Sequence, residues 1–318
     1  MLEIALIGAG QLGSRHLQGL ALLDEAARVT VVDPTVAALA VAKERFEQVK
    51  QDRITAVFTQ HIGDLPKRLD GAVVATAANV RRKAIESLLQ QSEVKVALLE
   101  KVLFQRAEDY AAVGTLLEQV GTRAWVNCTQ RLWPFFRDLR PRTLGGSNIC
   151  IGVTGAQWGL GCNAIHNLDL LSFLTGSADC HLVSGLDAGT IPSKRQGFIE
   201  FTGTLYALGL RGNRVVQTSY RDGDAPFSFQ VRAEDFQASW NVQDESMRFA
   251  EASTGWKWSE EKVSPLYQSK LTHLVLGDML KDGTSALPTY DESSALHLKM
   301  LDVFLGHLGP HATSCDIT

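Results

Sequence analysis

Residues 4–20 of the chain read IALIGAGQLGSRHLQGL. A short apolar run leads directly into Gly8, Gly10 and Gly13, which have the spacing G-x-G-x-x-G, and a helical pattern follows. In a strand–loop–helix unit such glycines allow a tight turn, close approach of the backbone to a pyrophosphate and close packing of the helix, whose N-terminus attracts phosphates. The stretch predicts a dinucleotide-binding loop; a strand–turn–helix junction without a ligand is the alternative.

A carboxylate marks the end of the second predicted strand. Residues 28–33 read RVTVVD, so Asp33 stands where an acidic residue accepts hydrogen bonds from the adenosine ribose and repels a 2′-phosphate. Neither Pro34 nor Thr35 supplies an arginine that would reverse this preference for NAD over NADP. NAD is therefore the predicted cofactor, with FAD, which binds to a similar loop, as an alternative.

Short β-branched runs alternate with amphipathic helical stretches from the N-terminus to about residue 124. The strand-like runs are apolar without interruption, a pattern typical of a parallel sheet covered on both faces. We therefore predict an α/β fold for residues 1–124, a doubly wound Rossmann domain that binds NAD.

The pattern changes beyond residue 145. One helix is predicted over residues 163–175, and long segments of alternating polarity, such as 197–212 and 214–223, are separated by Gly, Asn and Asp turns. Two helical patterns follow near the C-terminus. Residues 125–318 are therefore predicted to form an α+β domain built on an antiparallel β-sheet.

Composition limits the classes of function. The chain has 318 residues, 45% of them hydrophobic, and a formal net charge of −4, which gives no long-range attraction to nucleic acid or anionic lipid. Neither a membrane-spanning stretch nor a basic N-terminal segment stands out. The five cysteines include no CxxC pair, so neither a disulfide framework nor a zinc knuckle is indicated. We expect a cytoplasmic protein of enzyme size without nucleic-acid or membrane partners.

Glu100 and Lys101 follow a predicted central strand, in the stretch KVALLEKVLF at residues 95–104. Open α/β sheets place their ligand crevice at the carboxyl ends of the strands. A lysine there could orient a substrate, stabilise an alkoxide or lose a proton. A solvated Glu–Lys pair at a strand end is the equally weighted alternative.

Cys162, His166 and Asp169 have spacings that bring three polar side chains onto one face of the helix predicted at residues 163–175. They could serve as metal ligands, as a Cys–His nucleophile or as a proton relay. No second cluster of cysteine or histidine completes a metal set, and nothing indicates an oxyanion site. Because the helix is apolar over much of its surface, the residues alone favour packing.

Five segments, taken in order, resemble the Gfo/Idh/MocA family, the glucose–fructose oxidoreductase and inositol dehydrogenase group. They are GAGQLGSRH (8–16), VVATAANV (73–80), LLEKV (98–102), NCTQRLWPFFRDLR (127–140) and GCNAIHNLDLLSFLTG (161–176). The resemblance covers essentially the whole chain. It implies an NAD-binding Rossmann half, a substrate-binding half with an open-faced antiparallel sheet, and a last helix, about 291–308, that packs back on the first domain. It also implies homodimers or homotetramers formed through the open sheet.

The family motifs match in part. Glu-Lys-Pro looks like residues 100–102, where Val102 replaces the proline. A segment with Arg and Pro looks like residues 130–134. Asp-x-Gly-x-His looks like residues 162–166, where a cysteine replaces the acid and Ala164 replaces the glycine.

The resemblance implies a role for each matching residue. Lys101 and His166 would handle the hydroxyl proton of the substrate, and Asp169 would orient a partner or a hydroxyl group. The implied cofactor-binding residues are Gly8, Gly10, Gln11, Leu12, Gly13, Asp33, Thr76, Asn79, Glu100 and Lys101. The implied substrate-binding residues are Arg131, Trp158, Cys162, Asn163 and His166, and no metal is implied.

The predicted function is an NAD-dependent oxidoreductase that moves a hydride between nicotinamide and a hydroxyl-bearing carbon of a sugar, polyol or nucleotide sugar. Surface-polysaccharide or unusual-sugar biosynthesis is the favoured setting. The alternatives are a lyase or glycosidase that uses NAD transiently and a non-catalytic NAD-sensing protein.

Overall fold

The computed structural model describes residues 1–241, 243, 245–264 and 266–318. The chain forms two compact units. The first contains residues 1–127 and 266–293, and the second contains residues 128–265 and 294–318. The boundary expected between residues 124 and 125 falls inside a strand, and residues 294–308 of the last helix group with the second unit.

The first unit is built on a parallel sheet. Its strands are β1 (Leu2–Ile7), β2 (Ala27–Val32), β3 (Ile54–Thr59), β4 (Arg68–Val74), β5 (Glu93–Leu99) and β6 (Arg123–Val126). They have the order β3-β2-β1-β4-β5-β6, and every pairing is parallel. The helices of this unit's first stretch are α1 (Gln11–Leu20), α2 (Val36–Glu47), α3 (Ala78–Gln91) and α4 (Ala107–Val120). The predicted doubly wound domain is confirmed.

The order of the strands predicts where the ligand crevice lies. The sheet grows from β1 in one direction to β2 and β3 and in the other to β4, β5 and β6. Open α/β sheets bind ligands beyond the carboxyl ends of the strands where this direction changes. That point lies after Ile7, at the glycine-rich loop.

The second unit is built on an eight-stranded sheet. Its elements are α5 (Pro134–Thr143), β7 (Cys150–Ala156), α6 (Leu160–Thr175), β8 (Cys180–Leu186), β9 (Ile191–Pro192), β10 (Ile199–Glu200), β11 (Gly203–Gly209), β12 (Arg214–Tyr220), β13 (Ser228–Arg232), β14 (Phe236–Asn241), β15 (Ser246–Glu251) and β16 (Ser259–Lys262). The order is β16-β15-β14-β13-β7-β12-β11-β8, and β9 pairs with β10. The remaining helices of the chain are α7 (Thr272–Asp282) and α8 (Tyr290–Leu308).

The predicted antiparallel sheet is confirmed, with one parallel pairing in it. β7 and β12 are parallel, with Val153 opposite Gln217, whereas the other neighbours are antiparallel. The physical reason is the long connection between them, which includes α6 and returns the chain in the same direction. The sheet is therefore mixed, with a single parallel pair next to α6.

Helix α6 packs against β12 and carries the predicted polar face. It begins at Leu160, earlier than the predicted Asn163, because Gly159 adopts a left-handed conformation (φ +83°) that turns the chain into the helix. The extra residues put Cys162 in the first turn. Among the described residues, no helix is long and apolar enough to cross a membrane.

Candidate functional site

The loop between β1 and α1 requires glycine at two positions. Gly8 has φ +93°, and a Cβ atom there would lie 3.0 Å from the backbone of Ala75 and Thr76. A Cβ atom at Gly13 would overlap the carbonyl oxygen of Gly8. Gly10, by contrast, has no neighbouring atom within 4 Å of its Cβ position. The loop is thus tightly packed on one side and open at Gly10, where the first amides of α1 have no acceptor within the helix.

Asp33, directly after β2, is hydrogen-bonded to the glycine-rich loop. Its Oδ2 accepts a hydrogen bond from the Ala9 amide (2.8 Å), and its Oδ1 accepts one from the Thr35 amide (2.8 Å). The carboxylate is therefore fixed beside the glycine-rich loop, at the predicted position. Gln11 is exposed, and its Oε1 accepts a hydrogen bond from Arg45 Nη2 (2.7 Å). Leu12 is exposed next to it.

The loop after β4 lies against the glycine-rich loop. The Ala75 amide donates to the Ile7 carbonyl oxygen (2.8 Å), which joins the ends of β1 and β4. Thr76 Oγ1 is buried without a hydrogen-bond partner in the described structure. Asn79, in the first turn of α3, is exposed. A buried hydroxyl group without a partner is unusual and indicates that a ligand or water completes it.

Glu100 is the centre of a buried polar network at the end of β5. The residue is only 2% exposed. Its Oε1 accepts hydrogen bonds from His16 Nε2 (2.8 Å) and from Asn127 Nδ2, and its Oε2 accepts one from the Lys101 amide (3.2 Å). Burial alone would raise the pKa of Glu100, but hydrogen bonds from His16 and Asn127 and the positive charges of His16 and Lys101 outweigh it and lower the pKa to about 2. The carboxylate is therefore ionised.

The returning segment 266–293 completes this network. His16 Nδ1 lies 3.0 Å from Thr272 Oγ1, and Asn127 Nδ2 donates to Gln268 Oε1 (2.8 Å). Gln268 Nε2 in turn donates to Thr272 Oγ1 (2.9 Å). The sequence analysis missed all of these partners. Two features of the sequence could have pointed to them: His16 follows Gly13 on the buried face of α1, and Asn127 directly follows a strand.

Lys101 leaves the sheet at the carboxyl end of β5 and is half-buried. The Lys101–Val102 peptide bond is cis, at the place where the family has a proline. Arg81, buried on α3, donates hydrogen bonds to the carbonyl oxygens of Val102, Leu103 (3.0 Å) and Thr76. The buried guanidinium group of Arg81 thus holds the turn in place. Arg81 is another residue that the sequence analysis missed.

In the second unit, Arg131 and Asp169 form a buried ion pair. Arg131 Nε and Nη2 donate to the two carboxylate oxygens of Asp169, each over 2.7 Å. The Asp169 side chain is 1% exposed, and the guanidinium group lies 5.5 Å from the ring centre of Phe173. Asp169 is therefore paired with Arg131, and the role implied for it, orienting a partner or a hydroxyl group, stays a prediction. Direct contact of either residue with a substrate stays a prediction.

Three of the predicted substrate-binding residues line one cavity. A space of about 220 Å³ at the start of α6 is bordered by Trp158, Cys162 and Asn163. Trp158 Nε1 donates to the Thr218 carbonyl oxygen (2.8 Å), and Asn163 Nδ2 donates to the Trp158 carbonyl oxygen (3.1 Å). His166, half-buried, lies one turn further along α6.

Two buried polar residues of this cavity, Glu200 and Ser219, were missed by the sequence analysis. Glu200 on β10 is buried, and its Oε2 accepts a hydrogen bond from the Gly161 amide (2.6 Å). Ser219 on β12 is also buried. The alternation along β12 would have placed Ser219 on the buried face, but nothing in the local sequence joins it to α6. Among the described residues, no group of three or more His, Cys, Asp or Glu side chains could hold a metal ion.

No family model matches the chain. One relative, the myo-inositol dehydrogenase Hyg17 from Streptomyces leeuwenhoekii, is 28% identical over 146 residues. The alignment covers 46% of this chain and 42% of that protein, so the chain matches less than half of the relative's length.

Solved structures are similar over nearly the whole chain. UDP-N-acetylglucosamine 3-dehydrogenase GnnA from Acidithiobacillus ferrooxidans has a TM-score of 0.71 at 15% identity, with 95% of this chain and 96% of that chain covered. An oxidoreductase from Agrobacterium radiobacter, in complex with NAD+, L-tartaric acid and magnesium, has a TM-score of 0.67 at 15% identity, with 94% and 93% covered. The dehydrogenase MviM from Clostridium difficile has a TM-score of 0.70 at 15% identity, with 96% and 99% covered.

At these identities the solved structures establish the fold. The proteins named above are dehydrogenases or oxidoreductases. The predicted resemblance is confirmed: the chain has the fold of the Gfo/Idh/MocA-type oxidoreductases.

Proposed function

We propose that the protein is an NAD-dependent oxidoreductase that transfers a hydride between nicotinamide and a hydroxyl-bearing carbon of a sugar, polyol or nucleotide sugar. The observation that carries this proposal is the closed glycine-rich loop with Asp33 fixed beside it, at the switch point of a parallel sheet that also presents Lys101. The inositol and nucleotide-sugar dehydrogenases among its relatives support the same class of reaction.

The first unit fits the cofactor. The opening at Gly10 lets the backbone approach a pyrophosphate, and the first amides of α1 can donate to its oxygens. Asp33 can accept hydrogen bonds from ribose hydroxyl groups and would repel a 2′-phosphate. The buried hydroxyl of Thr76 can find its partner in the same ligand. When bound, NAD would supply the hydride acceptor or donor.

Two side chains of this chain would handle the proton. Oxidation of an alcohol removes a proton from oxygen as well as a hydride from carbon. Lys101, at the edge of the sheet, would hydrogen-bond the substrate oxygen and stabilise negative charge on it. His166, an imidazole on α6, is suited to accept the proton near neutral pH. Asp169 would act by holding Arg131 in place.

Assembly through the open sheet is part of the proposal. Several large apolar side chains of β8, β11 and β12 are exposed: Val183, Tyr206, Leu208 and Tyr220. Val183 and Tyr206 are opposite each other in the strand register, so these two apolar side chains adjoin. A contiguous apolar surface of this kind is costly to expose and marks an interface. We propose a homodimer or homotetramer through this face and a cytoplasmic location.

The first experiment follows NADH by its near-ultraviolet absorbance while inositols, free sugars and nucleotide sugars are offered with NAD. We expect one of these classes to produce NADH. A variant lacking both Lys101 and His166 side chains, K101A/H166A, should form no NADH even when NAD is saturating. Full turnover by that variant would show that the proposed proton-handling residues are wrong.

The Gly10→Ala variant tests the cofactor site separately. Since no atom lies within 4 Å of its Cβ position, the variant should fold like the parent. The new methyl group would obstruct the close approach of a pyrophosphate, and we expect NAD affinity to fall roughly 100-fold, or ~3 kcal/mol. Calorimetric titration with NAD measures this. Gly63→Ala, also without neighbours within 4 Å, is the matched control and should bind NAD normally.

A further inference from the structure

We propose that Asn127 is a cofactor-binding residue whose Oδ1 accepts a hydrogen bond from the carboxamide NH2 group of the nicotinamide ring. The sequence analysis gave Asn127 no role. This inference deepens the proposed function and rests on it for NAD as the cofactor. It can be tested by binding alone, without turnover.

Four neighbouring strands of the first sheet end side by side. Ile7 pairs with Val74, Val74 with Leu99, and Leu99 with Val126. The residues directly after them therefore form a row along the carboxyl edge of the sheet: Gly8, Ala75, Glu100 and Asn127.

The direction of the dinucleotide brings its nicotinamide half to the far end of this row. The pyrophosphate is expected at the glycine-rich loop, which begins with Gly8, and the adenosine half is expected on the β2 side, beside Asp33. The nicotinamide half would then extend over the ends of β4, β5 and β6. Asn127 lies three strand spacings, or ~14 Å, from Gly8.

The amide group of Asn127 has one fixed orientation. Its Nδ2 donates to Glu100 Oε1 and to Gln268 Oε1 (2.8 Å), so both of its protons are used. The Glu100 carboxylate is ionised and can only accept hydrogen bonds. A reversed amide would place Oδ1 against that carboxylate, so the oxygen must lie on the opposite side.

The oxygen on that side indicates a ligand. Asn127 is only 3% exposed, and its Oδ1 is buried without a hydrogen-bond partner within the described part of the chain. Buried polar atoms of this kind usually meet water or a ligand. Because Oδ1 can only accept, its partner has to donate a proton. Phosphate and ionised carboxylate groups have no proton to donate, whereas the nicotinamide carboxamide has an NH2 group.

This hydrogen bond would orient the ring. A bond to the carboxamide opposes rotation of the nicotinamide about its link to the ribose, so one face of the ring is held outward. Asn127 would thus help to decide which face takes part in hydride transfer, although it handles neither the hydride nor the proton.

A cycle of two proteins and two cofactors isolates the bond. Calorimetric titration compares NAD with its acetylpyridine analogue, which keeps the carbonyl oxygen but lacks the NH2 group, in the parent and in Asn127→Ala. The parent should bind NAD ~10-fold more tightly than the analogue, and Asn127→Ala should bind the two within ~2-fold of each other. The same preference in both proteins, or no preference in the parent, overturns the proposal.

ADP-ribose separates the nicotinamide from the rest of the cofactor. It contains the adenosine, the pyrophosphate and the second ribose but no nicotinamide. Asn127→Ala should bind ADP-ribose like the parent while its affinity for NAD falls ~10-fold, as for loss of one hydrogen bond to a buried group. Equal weakening of both ligands would show general damage to the edge of the sheet and would contradict the assignment.

Thr272→Val is the matched control. It removes the hydroxyl group that lies 3.0 Å from His16 Nδ1 and accepts a hydrogen bond from Gln268 Nε2, but it leaves Asn127 and both of its acceptors in place. The variant therefore weakens the same buried network without removing Oδ1. It should prefer NAD over the analogue as the parent does. Loss of that preference would assign the effect to the network and not to Asn127.

The outcomes separate this proposal from the proposed function. If the cycle behaves as expected but no substrate yields NADH, the Asn127 assignment holds and the dehydrogenase proposal fails. If NADH forms but Asn127→Ala keeps the preference of the parent, the dehydrogenase proposal holds and the Asn127 assignment fails. If the parent does not bind NAD, both fail.

Discussion

Glu100 and Asp169 are both buried carboxylates, one in each unit, but they are held in different ways. Glu100 receives hydrogen bonds from His16 on α1, Asn127 after β6 and the Lys101 amide. The two oxygens of Asp169 both accept hydrogen bonds from the guanidinium group of Arg131. Glu100 is therefore held by donors from several segments, whereas Asp169 is held by a two-point ion pair with a side chain of opposite charge.

The largest effect is expected from Asp169→Asn. This change leaves the Arg131 charge buried without its carboxylate, and the free energy of unfolding should fall by ~3–5 kcal/mol. Denaturant titration measures it. Glu93→Gln removes one side of the exposed Arg68–Glu93 pair and should cost less than ~1 kcal/mol. Equal losses in the two variants would show that the Asp169 pair is no more important than a surface pair.

The next largest effect is a loss of unfolding free energy at low pH. The pKa of Glu100 is lowered in the folded protein from 4.5 to about 2, so its contribution to stability is complete above the unfolded pKa and is lost as the pH falls through the folded one. Between about pH 5 and pH 2, the parent should lose up to roughly 3 kcal/mol more than Glu100→Gln. Unfolding free energies of both proteins across this range provide the measurement. Parallel pH profiles would contradict an ionised Glu100.

The smallest effect is expected from Asn127→Ala. Glu100 keeps its hydrogen bonds from His16 and the Lys101 amide in this variant, so the free energy of unfolding should fall by only ~1–2 kcal/mol. Asn79→Ala, at an exposed site, is the control and should fall within ~0.5 kcal/mol of the parent. A loss as large as that of Asp169→Asn would remove the distinction between a carboxylate held by several donors and one held by a two-point ion pair.

Local patterns explain what could be predicted from the sequence. The glycine spacing, the acid after β2 and the apolar strands are short-range signals, and they placed the loop, Asp33 and Lys101 on the correct elements. The helix predicted from Asn163 was placed correctly except at its start, where the left-handed Gly159 begins α6 early enough to include Cys162.

The remaining features depend on contacts between distant parts of the chain. Arg131 meets Asp169 only because α6 folds back beside residues 129–132, and the spacing along the helix carries no sign of this. Ser219 and Glu200 reach the same cavity from separate strands. The parallel pairing of β7 and β12 has the same origin, since strand direction is set by the length of the connection and not by composition.

The return of residues 266–293 to the first unit has a consequence for synthesis on the ribosome. Chains are made from the N-terminus at ~5–20 residues per second. The glycine-rich loop and all six strands of the first sheet emerge early, but Gln268 and Thr272, which meet Asn127 and His16, are added only after most of the second unit has been made. The first unit is therefore among the first parts to be translated and among the last to be completed.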